Sequence, residues 1–292
     1  MIALFNRLHI ISVARNMDKN YVEFPQPNTM LVIESLDYNN PYDFRKMHRH
    51  DYFELIFVNE GEGSQLIDFT SYPIAGEQIY VIYPGQVHLM QRNTANGLLI
   101  QFRKNIFEYI RPIKHYNLYN PSALINRDTD SFRHLYELAE RIKDLVSTKN
   151  DLSSLSKYKA YSYLQIILLS LVELNSGVAD MKDHNLLGEF LSLLTTHIQS
   201  KKKVAEYAAQ LHCTPDKLNY VCKNALGKTA LEMIHEELLL EIRRLLLLNE
   251  MSLKEIAFQL NFDSQSNFSG FIKANTGMTP TELQAAVSDI YK

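Results

Sequence analysis

The chain has 292 residues, 46% apolar and 22% charged, with a formal net charge of −3 at pH 7. This is the composition of an ordinary soluble globular protein, long enough for two domains with separate cores, and it carries no global basic bias that announces nucleic acid. The longest apolar run, Tyr161 to Leu174, is interrupted by Gln165 and Ser170 and is too short to span a bilayer. Arg7 and His9 stand where a secretory signal needs unbroken apolar sequence. Cys213 and Cys222, the only cysteines, have neither zinc nor redox spacing and read as reduced packing residues. The expectation is a cytoplasmic protein that does not enter a membrane.

The first hundred residues read as strands. Phe53–Val58 is β-branched and aromatic and stops at Glu60-Gly61-Glu62-Gly63; Gln65–Phe69, Gln78–Tyr83 and Gly97–Phe102 follow, with Pro84-Gly85 as punctuation. Short strands with Gly and Pro breaks predict a β-sandwich or small barrel. The character changes near Tyr119-Asn120-Pro121, and Phe132–Val146 and Tyr158–Leu174 have helical spacing. In the second helix Leu164, Ile167, Leu168, Leu171 and Leu174 form one apolar stripe, and Ile166, Leu169 and Val172 a second. A helix apolar on two sides needs two partners, here the barrel and a second subunit, so a homodimer is expected. Polar, glycine-containing Gly177 to His184 reads as a linker. The expected domains are 1–118, 119–184 and 185–292: sensor, helical dimerisation segment and all-helical C-terminal domain.

The C-terminal region contains one helix-turn-helix pattern twice. Val204 to Gly227 aligns with Leu253 to Gly277: Gln210-Leu211 falls on Gln259-Leu260 at an offset of 49, and Leu218, Lys223 and Gly227 fall on Phe268, Lys273 and Gly277 at an offset of 50. The units therefore differ by one residue in the turn. Thr214 followed by Pro215 predicts an N-cap and first helical position, Ser264 a second cap, and Gly227 a left-handed stop. Leu218, Val221, Cys222 and Ala225 form the apolar stripe of one second helix, and Phe268, Phe271 and Ile272 that of the other. Such a unit presents a helix to a DNA major groove. The candidate contacts are Lys217, Asn219, Tyr220 and Lys223 in one helix, and Gln265, Ser266, Asn267, Ser269 and Lys273 in the other. Amides suit adenine edges, and lysines suit phosphate or guanine. Leu231 to Leu248 predicts a connecting helix of about 27 Å, near the ~34 Å between successive major grooves on one DNA face.

From about Leu187 to Leu283 the chain resembles the DNA-binding domain of AraC/XylS-type transcription regulators. The resemblance is carried by Ile256-Ala257, Leu260, Phe262, Ser266, Phe268, Phe271, Lys273, Gly277, Thr279 and Pro280. It departs where Asn261-Phe262 replaces Gly-Phe; Asn tolerates the left-handed conformation a turn requires there. It also departs at Gly270 and Glu237, where relatives often have Arg. Residues 186–292 hold 11 Lys and Arg against 12 Asp and Glu, which implies a modest phosphate contribution. The one basic cluster is Lys201-Lys202-Lys203, read as a solvated helix start or a phosphate clamp.

In the N-terminal half, His48-x-His50-x(3)-Glu54-x(6)-Gly61, followed by Pro84-Gly85 and His88, resembles the cupin motif. Strand alternation puts His48, His50, Tyr52 and Glu54 on one face. The second half departs: Pro84 and Gly85 are adjacent, and the usual Asn after the last His is absent. The set resembles the sensor domains joined to AraC-type DNA-binding domains. That implies a cupin-like β-barrel holding a small effector, often a sugar, with no metal required and no cofactor expected, and an arm before Tyr21 over the pocket. The effector candidates are His48, His50, Glu54, Tyr83 and His88; packing histidines and a metal centre are the other two readings.

The whole chain thus reads as an α+β two-domain, non-enzymatic regulator of transcription. Its expected partners are double-stranded DNA, a small-molecule effector and, by resemblance, RNA polymerase, and activation is the implied sign. The alternative is a metal-dependent cupin enzyme with His48, His50, Glu54 and His88 as ligands.

Overall fold

A computed structural model describes residues 20–37, 46–109, 124–125, 129–147, 154–175 and 184–289. The expected N-terminal arm before Tyr21 lies outside them except for Asn20, and so does the expected linker Gly177 to His184 except for His184, which opens a helix. The chain divides into two units, one of Val22–Ala179 and one containing Asp180–Lys292.

The first unit is an antiparallel sheet covered by two helices. Its strands are β1 (Leu31–Ser35), β2 (Phe53–Ile67), β3 (Thr70–Ile74), β4 (Gln78–Ile82), β5 (His88–Phe102) and β6 (Leu124–Ile125), in the order β1-β5-β2-β4-β6 with β3 on β2. The glycine-rich stretch after Val58 does not end a strand, as its composition had suggested. β2 and β5 pair along their whole lengths, from Phe53 opposite Phe102 to Ile67 opposite His88, and absorb the irregularity in shifts of register at Val58/Glu60 and Glu62/Gly63. Bulges bend a strand without ending its ladder. Gly63 sits at the second shift with φ 142°, and a Cβ there would stand 2.1 Å from the Gln91 carbonyl oxygen, so only glycine fits.

Alternation divides the side chains of this sheet. Leu31, Ile33, Phe53, Leu55, Phe57, Ile79, Val81, Leu98, Ile100 and Phe102 form one layer with α1 (Thr129–Ser147) and α2 (Ser154–Asn175), through Phe132, Leu135, Ala139, Ile142, Leu164, Ile167, Leu168 and Leu171. The opposite face gathers Ile56, Val58, Tyr80, Ile82 and Leu99 with Ile67, Ile74 and Met90 from the far ends of the bent strands. Both halves of the sheet therefore enclose one interior, as a cupin-like barrel requires. The middle helices belong to this layer. Of the two apolar stripes on α2, Leu164, Ile167, Leu168 and Leu171 point inward, while Ile166 and Leu169 remain 43% and 42% exposed.

The second unit is helical: α3 (His184–His197), α4 (Val204–Gln210), α5 (Pro215–Leu226), α6 (Ala230–Leu248), α7 (Leu253–Gln259), α8 (Gln265–Thr276) and α9 (Pro280–Asp289). The pairs α4–α5 and α7–α8 are the two helix-turn-helix units. Their turns share a hydrogen-bond pattern: Cys213 N–H donates to Ala208 O and Phe262 N–H to Ala257 O, both at 3.0 Å. Each turn has one residue in the left-handed region, His212 at φ 51° and Asn261 at φ 53°. Asn261 thus does what glycine would, and the extra residue of the second turn lies between it and the Ser264 cap. Thr214 and Ser264 accept from the N–H of Lys217 and Asn267, and Gly227 and Gly277 end their helices at φ 71° and 75°.

The hub of this unit is α6, which has more buried positions than polar ones. Ile234, Leu238, Ile242 and Leu246 are buried, and each contributes about 1.5–3 kcal/mol through lost apolar hydration. Glu237 and Glu241 are also buried, 3.6 and 3.7 Å from the Arg244 guanidinium, and Gln199, in the turn that follows α3, donates to Glu241 at 2.9 Å. Glu237 is therefore part of the internal packing of α6 and does not add negative charge to a DNA-facing surface. Ala225 points outward, one turn short of the expected stripe.

Three helices begin with reciprocal caps, Thr229 with Glu232, Ser252 with Glu255, and Thr279 with Glu282. In each, the glutamate reaches back to the cap's backbone N–H and hydroxyl. Those hydrogen bonds hold all three carboxyls below their usual value of 4.5. A lowered folded pKa gives stability that is complete above the unfolded value and lost as pH falls through the folded one. Acidification below about pH 4.5 should therefore weaken the second unit. Replacing all three glutamates by Gln, which keeps the caps and removes the titration, should flatten that acid limb in urea unfolding followed by helical circular dichroism; an unchanged acid limb would assign it to other groups.

Candidate functional site

The interior of the first unit contains a buried polar cluster on otherwise apolar walls. Register sets its members: Glu54 on β2 lies opposite Gln101 on β5 and Ile82 on β4, so its side chain shares the inner face with Ile56 and Leu99. His88 opens β5, and a separate bridge pairs it with His48, with mutual backbone hydrogen bonds at 3.1 and 2.9 Å. His50, Glu54 and His88 are 1%, 1% and 3% exposed. His50 Nε2 lies 3.1 Å from His88 Nε2. The Glu54 carboxylate straddles the two rings, with Oε1 3.5 Å from His50 Nε2 and Oε2 3.7 Å from His88 Nε2.

The surroundings fix these side chains. His50 Nδ1 is 2.8 Å from the Tyr52 carbonyl oxygen; a carbonyl only accepts, so Nδ1 carries the proton and, in the neutral ring, Nε2 turns a lone pair inward. The His50 ring stacks on Tyr52 at 3.9 Å and 9°. Gln101 Nε2 donates to Glu54 Oε1 at 2.7 Å and reaches the Tyr52 hydroxyl at 3.4 Å. His48 donates from Nδ1 to Lys46 O at 2.8 Å and packs its ring 4.2 Å from that of His88. Burial opposes charge on Glu54, but the nearby imidazoles, His50 first, outweigh it and hold the carboxyl well below the ordinary range. His88 is pushed well below 6.5, chiefly by burial and then by His48, against the pull of Glu54. The carboxyl is thus biased toward its charged form and His88 toward its neutral form, both side chains being buried.

Four of the five expected effector residues, His48, His50, Glu54 and His88, meet in this cluster. Tyr83 does not. It makes an edge contact with Phe53 at 5.9 Å and packs against the helix-covered face, because it follows β4 one residue out of phase with Ile82. Gln101 was missed. Its only signal was a single amide in the apolar run Gly97–Phe102, and its importance depends on a partner 47 residues away.

In the second unit the two second helices present parallel sets of side chains. Lys217, Tyr220 and Lys223 are exposed on α5, and Gln265, Ser266, Asn267 and Lys273 on α8; Ser269 is half-buried. Lys217 Nζ lies 5.3 Å over the Tyr220 ring. Asn219 is turned away: half-buried, it accepts the Ala230 N–H at 3.0 Å through Oδ1, which ties α5 to the first turn of α6. It leaves the set of base-reading candidates. Lys202 from the basic cluster also has an internal role, donating to Asn261 O and lying 4.3 Å over the Phe262 ring.

The two units match known families. Residues 31–144 match the AraC-like ligand binding domain, and residues 207–286 match a helix-turn-helix domain. The chain belongs to the AraC-type transcription regulators, with an N-terminal sensor domain. Among its relatives is the HTH-type transcriptional activator RhaS of Klebsiella pneumoniae strain 342, 22% identical over 81% of this chain and 86% of that protein. Another is the activator Btr of Bacillus subtilis strain 168, 24% identical over 77% of this chain and 43% of Btr. The fatty-acid-bound structure of ToxT from Vibrio cholerae strain SCE256 aligns over 89% of this chain and 97% of its own, at 17% identity and a TM-score of 0.43.

Gly270 occupies the centre of the exposed face of α8, where a Cβ would meet nothing within 4 Å, and aligns with Tyr220 of α5. Gly270→Ala should stabilise the second unit by about 0.5–1 kcal/mol, measured by urea unfolding. Gly270→Arg should tighten DNA binding and steepen its salt dependence by roughly one unit of slope; an unchanged slope would mean that this face does not meet phosphate.

Proposed function

We propose that the protein is a sequence-specific DNA-binding regulator, probing two successive major grooves with α5 and α8 and governed by a ligand in the interior of the sensor sheet. The observation that carries this reading is the repeated unit: two second helices with satisfied N-terminal caps and outward polar faces, joined through α6. At 19 residues α6 is about 28 Å long, close to the spacing of grooves on one DNA face. The near-neutral charge of residues 186–292 implies that base contacts contribute more to affinity here than in strongly basic domains. Activation is supported by relatives that are named transcriptional activators, and an activator has RNA polymerase as a partner. A DNA target implies a cytoplasmic protein; no described helix is long and apolar enough to cross a membrane. The regulator reading takes precedence over an enzyme reading because the sensor match is followed by a DNA-binding match on the same chain.

Selection of bound duplexes from a random pool by the full-length protein tests this. The expected result is a motif with two elements about one helical turn apart. With that motif in hand, Gln265→Ala should cost about 1–3 kcal/mol and relax preference at one base position, whereas Lys273→Ala should weaken all duplexes alike. Equal loss on every sequence from Gln265→Ala would contradict base readout by α8.

Control by the sensor is proposed to act through a homodimer, since half-site spacing then responds to how subunits pair. Its support is the second stripe of α2, with Ile166 and Leu169 exposed opposite the stripe buried on the sheet. Ile166→Glu combined with Leu169→Glu should give a folded monomer in light scattering. Leu164→Glu is not an equivalent test, because Leu164 is fully buried in the sheet-facing core and a charge there would unfold the unit.

A further inference from the structure

The cluster of His50, Glu54 and His88 has a geometry that effector binding alone does not explain. We propose that it is a binding site for one divalent first-row transition-metal ion, held by His50 Nε2, His88 Nε2 and the Glu54 carboxylate. The inference deepens the reading of this interior as the ligand site of the regulator and rests on it.

The distances support an ion. When bonds to nitrogen and oxygen are ~2.0–2.2 Å, neighbouring ligand atoms on one ion stand roughly 3–3.5 Å apart. Here the two Nε2 atoms are 3.1 Å apart, His50 Nε2 is 3.5 Å from Glu54 Oε1 and His88 Nε2 3.7 Å from Oε2, and one ligand atom from each residue lies within 4.8 Å of the others. Elements distant in sequence produce this convergence: His50 precedes β2, Glu54 is on it, and His88 opens β5.

The outer contacts are those a metal site requires. His50 has its far nitrogen committed to the Tyr52 carbonyl, which aims Nε2 inward, and Gln101 orients the carboxylate from behind at 2.7 Å. Such second contacts fix the tautomer and direction of ligating groups. His48 has its Nδ1 on Lys46 O and its ring against His88; it buttresses His88 and is not among the converging atoms. Two imidazoles and one carboxylate suit zinc, iron, cobalt or nickel rather than the all-oxygen spheres of calcium and magnesium. Three protein ligands leave positions open for a further molecule.

The test uses full-length protein stripped with a chelator and then titrated with Zn²⁺ and, as a spectroscopic probe, Co²⁺. The expected result is one ion per chain, d–d absorption bands with Co²⁺, and a rise in thermal midpoint with Zn²⁺. Glu54→Gln and His88→Gln should each weaken binding by at least about 100-fold, and Gln101→Leu by about 10–100-fold. Tyr83→Phe, on the other face of the sheet, should leave binding unchanged. A folded wild-type chain that takes up no stoichiometric ion overturns the proposal even if the variants misfold, as does stoichiometric binding that survives both ligand substitutions. Selection of DNA targets is scored separately. Metal binding without a DNA motif would sink the regulator reading and leave the site, whereas a DNA motif without metal binding would do the reverse.

Discussion

The antiparallel pairing of β2 with β5 is the constraint on which the sensor unit depends. These two strands of 15 residues each run from Phe53 opposite Phe102 to Ile67 opposite His88. A slip of one residue would exchange the two faces of the sheet: Glu54 would point at α1 and α2, and Phe53 into the polar interior. Register is secured by the cost of that exchange, since a carboxylate in the helix-facing layer would have no partner. The bulges at Val58/Glu60 and Glu62/Gly63 then bend the pair so that His88, at the far end of β5, comes back to Glu54. A straight ladder would leave the two more than ten residues apart along the sheet.

The helical unit uses polar groups for a different purpose. Its interior ion pairs, Glu237 and Glu241 with Arg244, lie within α6, and Glu241 also ties that helix to Gln199 in the turn after α3. Asn219 and Lys202, which look like surface residues in sequence, connect α5 to α6 and the start of α4 to the second turn. These polar and charged groups hold the two helix-turn-helix units against one rod. A domain with balanced charge thus presents two ordered, outward polar helix faces. The outward faces keep only the side chains not needed for packing: Lys217, Tyr220 and Lys223 on one helix, and Gln265, Ser266, Asn267 and Lys273 on the other.

Much of the site could be read before the fold was known, where the information is local. The caps Thr214 and Ser264, the stops Gly227 and Gly277, and the tolerance of Asn261 for a left-handed turn each follow from one residue's own chemistry. The gathering of His48, His50 and Glu54 follows from their nearness in sequence. Gln101 and Tyr83 lay beyond that reach. Whether a residue after β4 faces the interior or the helices depends on where the strand's phase ends, and a glutamine in an apolar strand is silent until its cross-strand neighbour is known. Asn219 was misread for the same reason: its acceptor role belongs to Ala230, which approaches only once α5 and α6 pack.

The sequence by itself determined the two-unit order, the repeated helix-turn-helix with its one-residue difference in the turn, and the family, because periodicity, caps and spaced motifs are properties of short stretches. Only the tertiary structure decided that β2 and β5 continue through their glycines, that the inward stripe of α2 is Leu164, Ile167, Leu168 and Leu171, and that Glu237 lies inside the unit. It alone placed His88 3.1 Å from His50. Each of these outcomes depends on which of two faces is buried or on which distant strands are neighbours. Burial is settled by the free energy of the whole packed layer, and no single stretch of the chain contains that quantity.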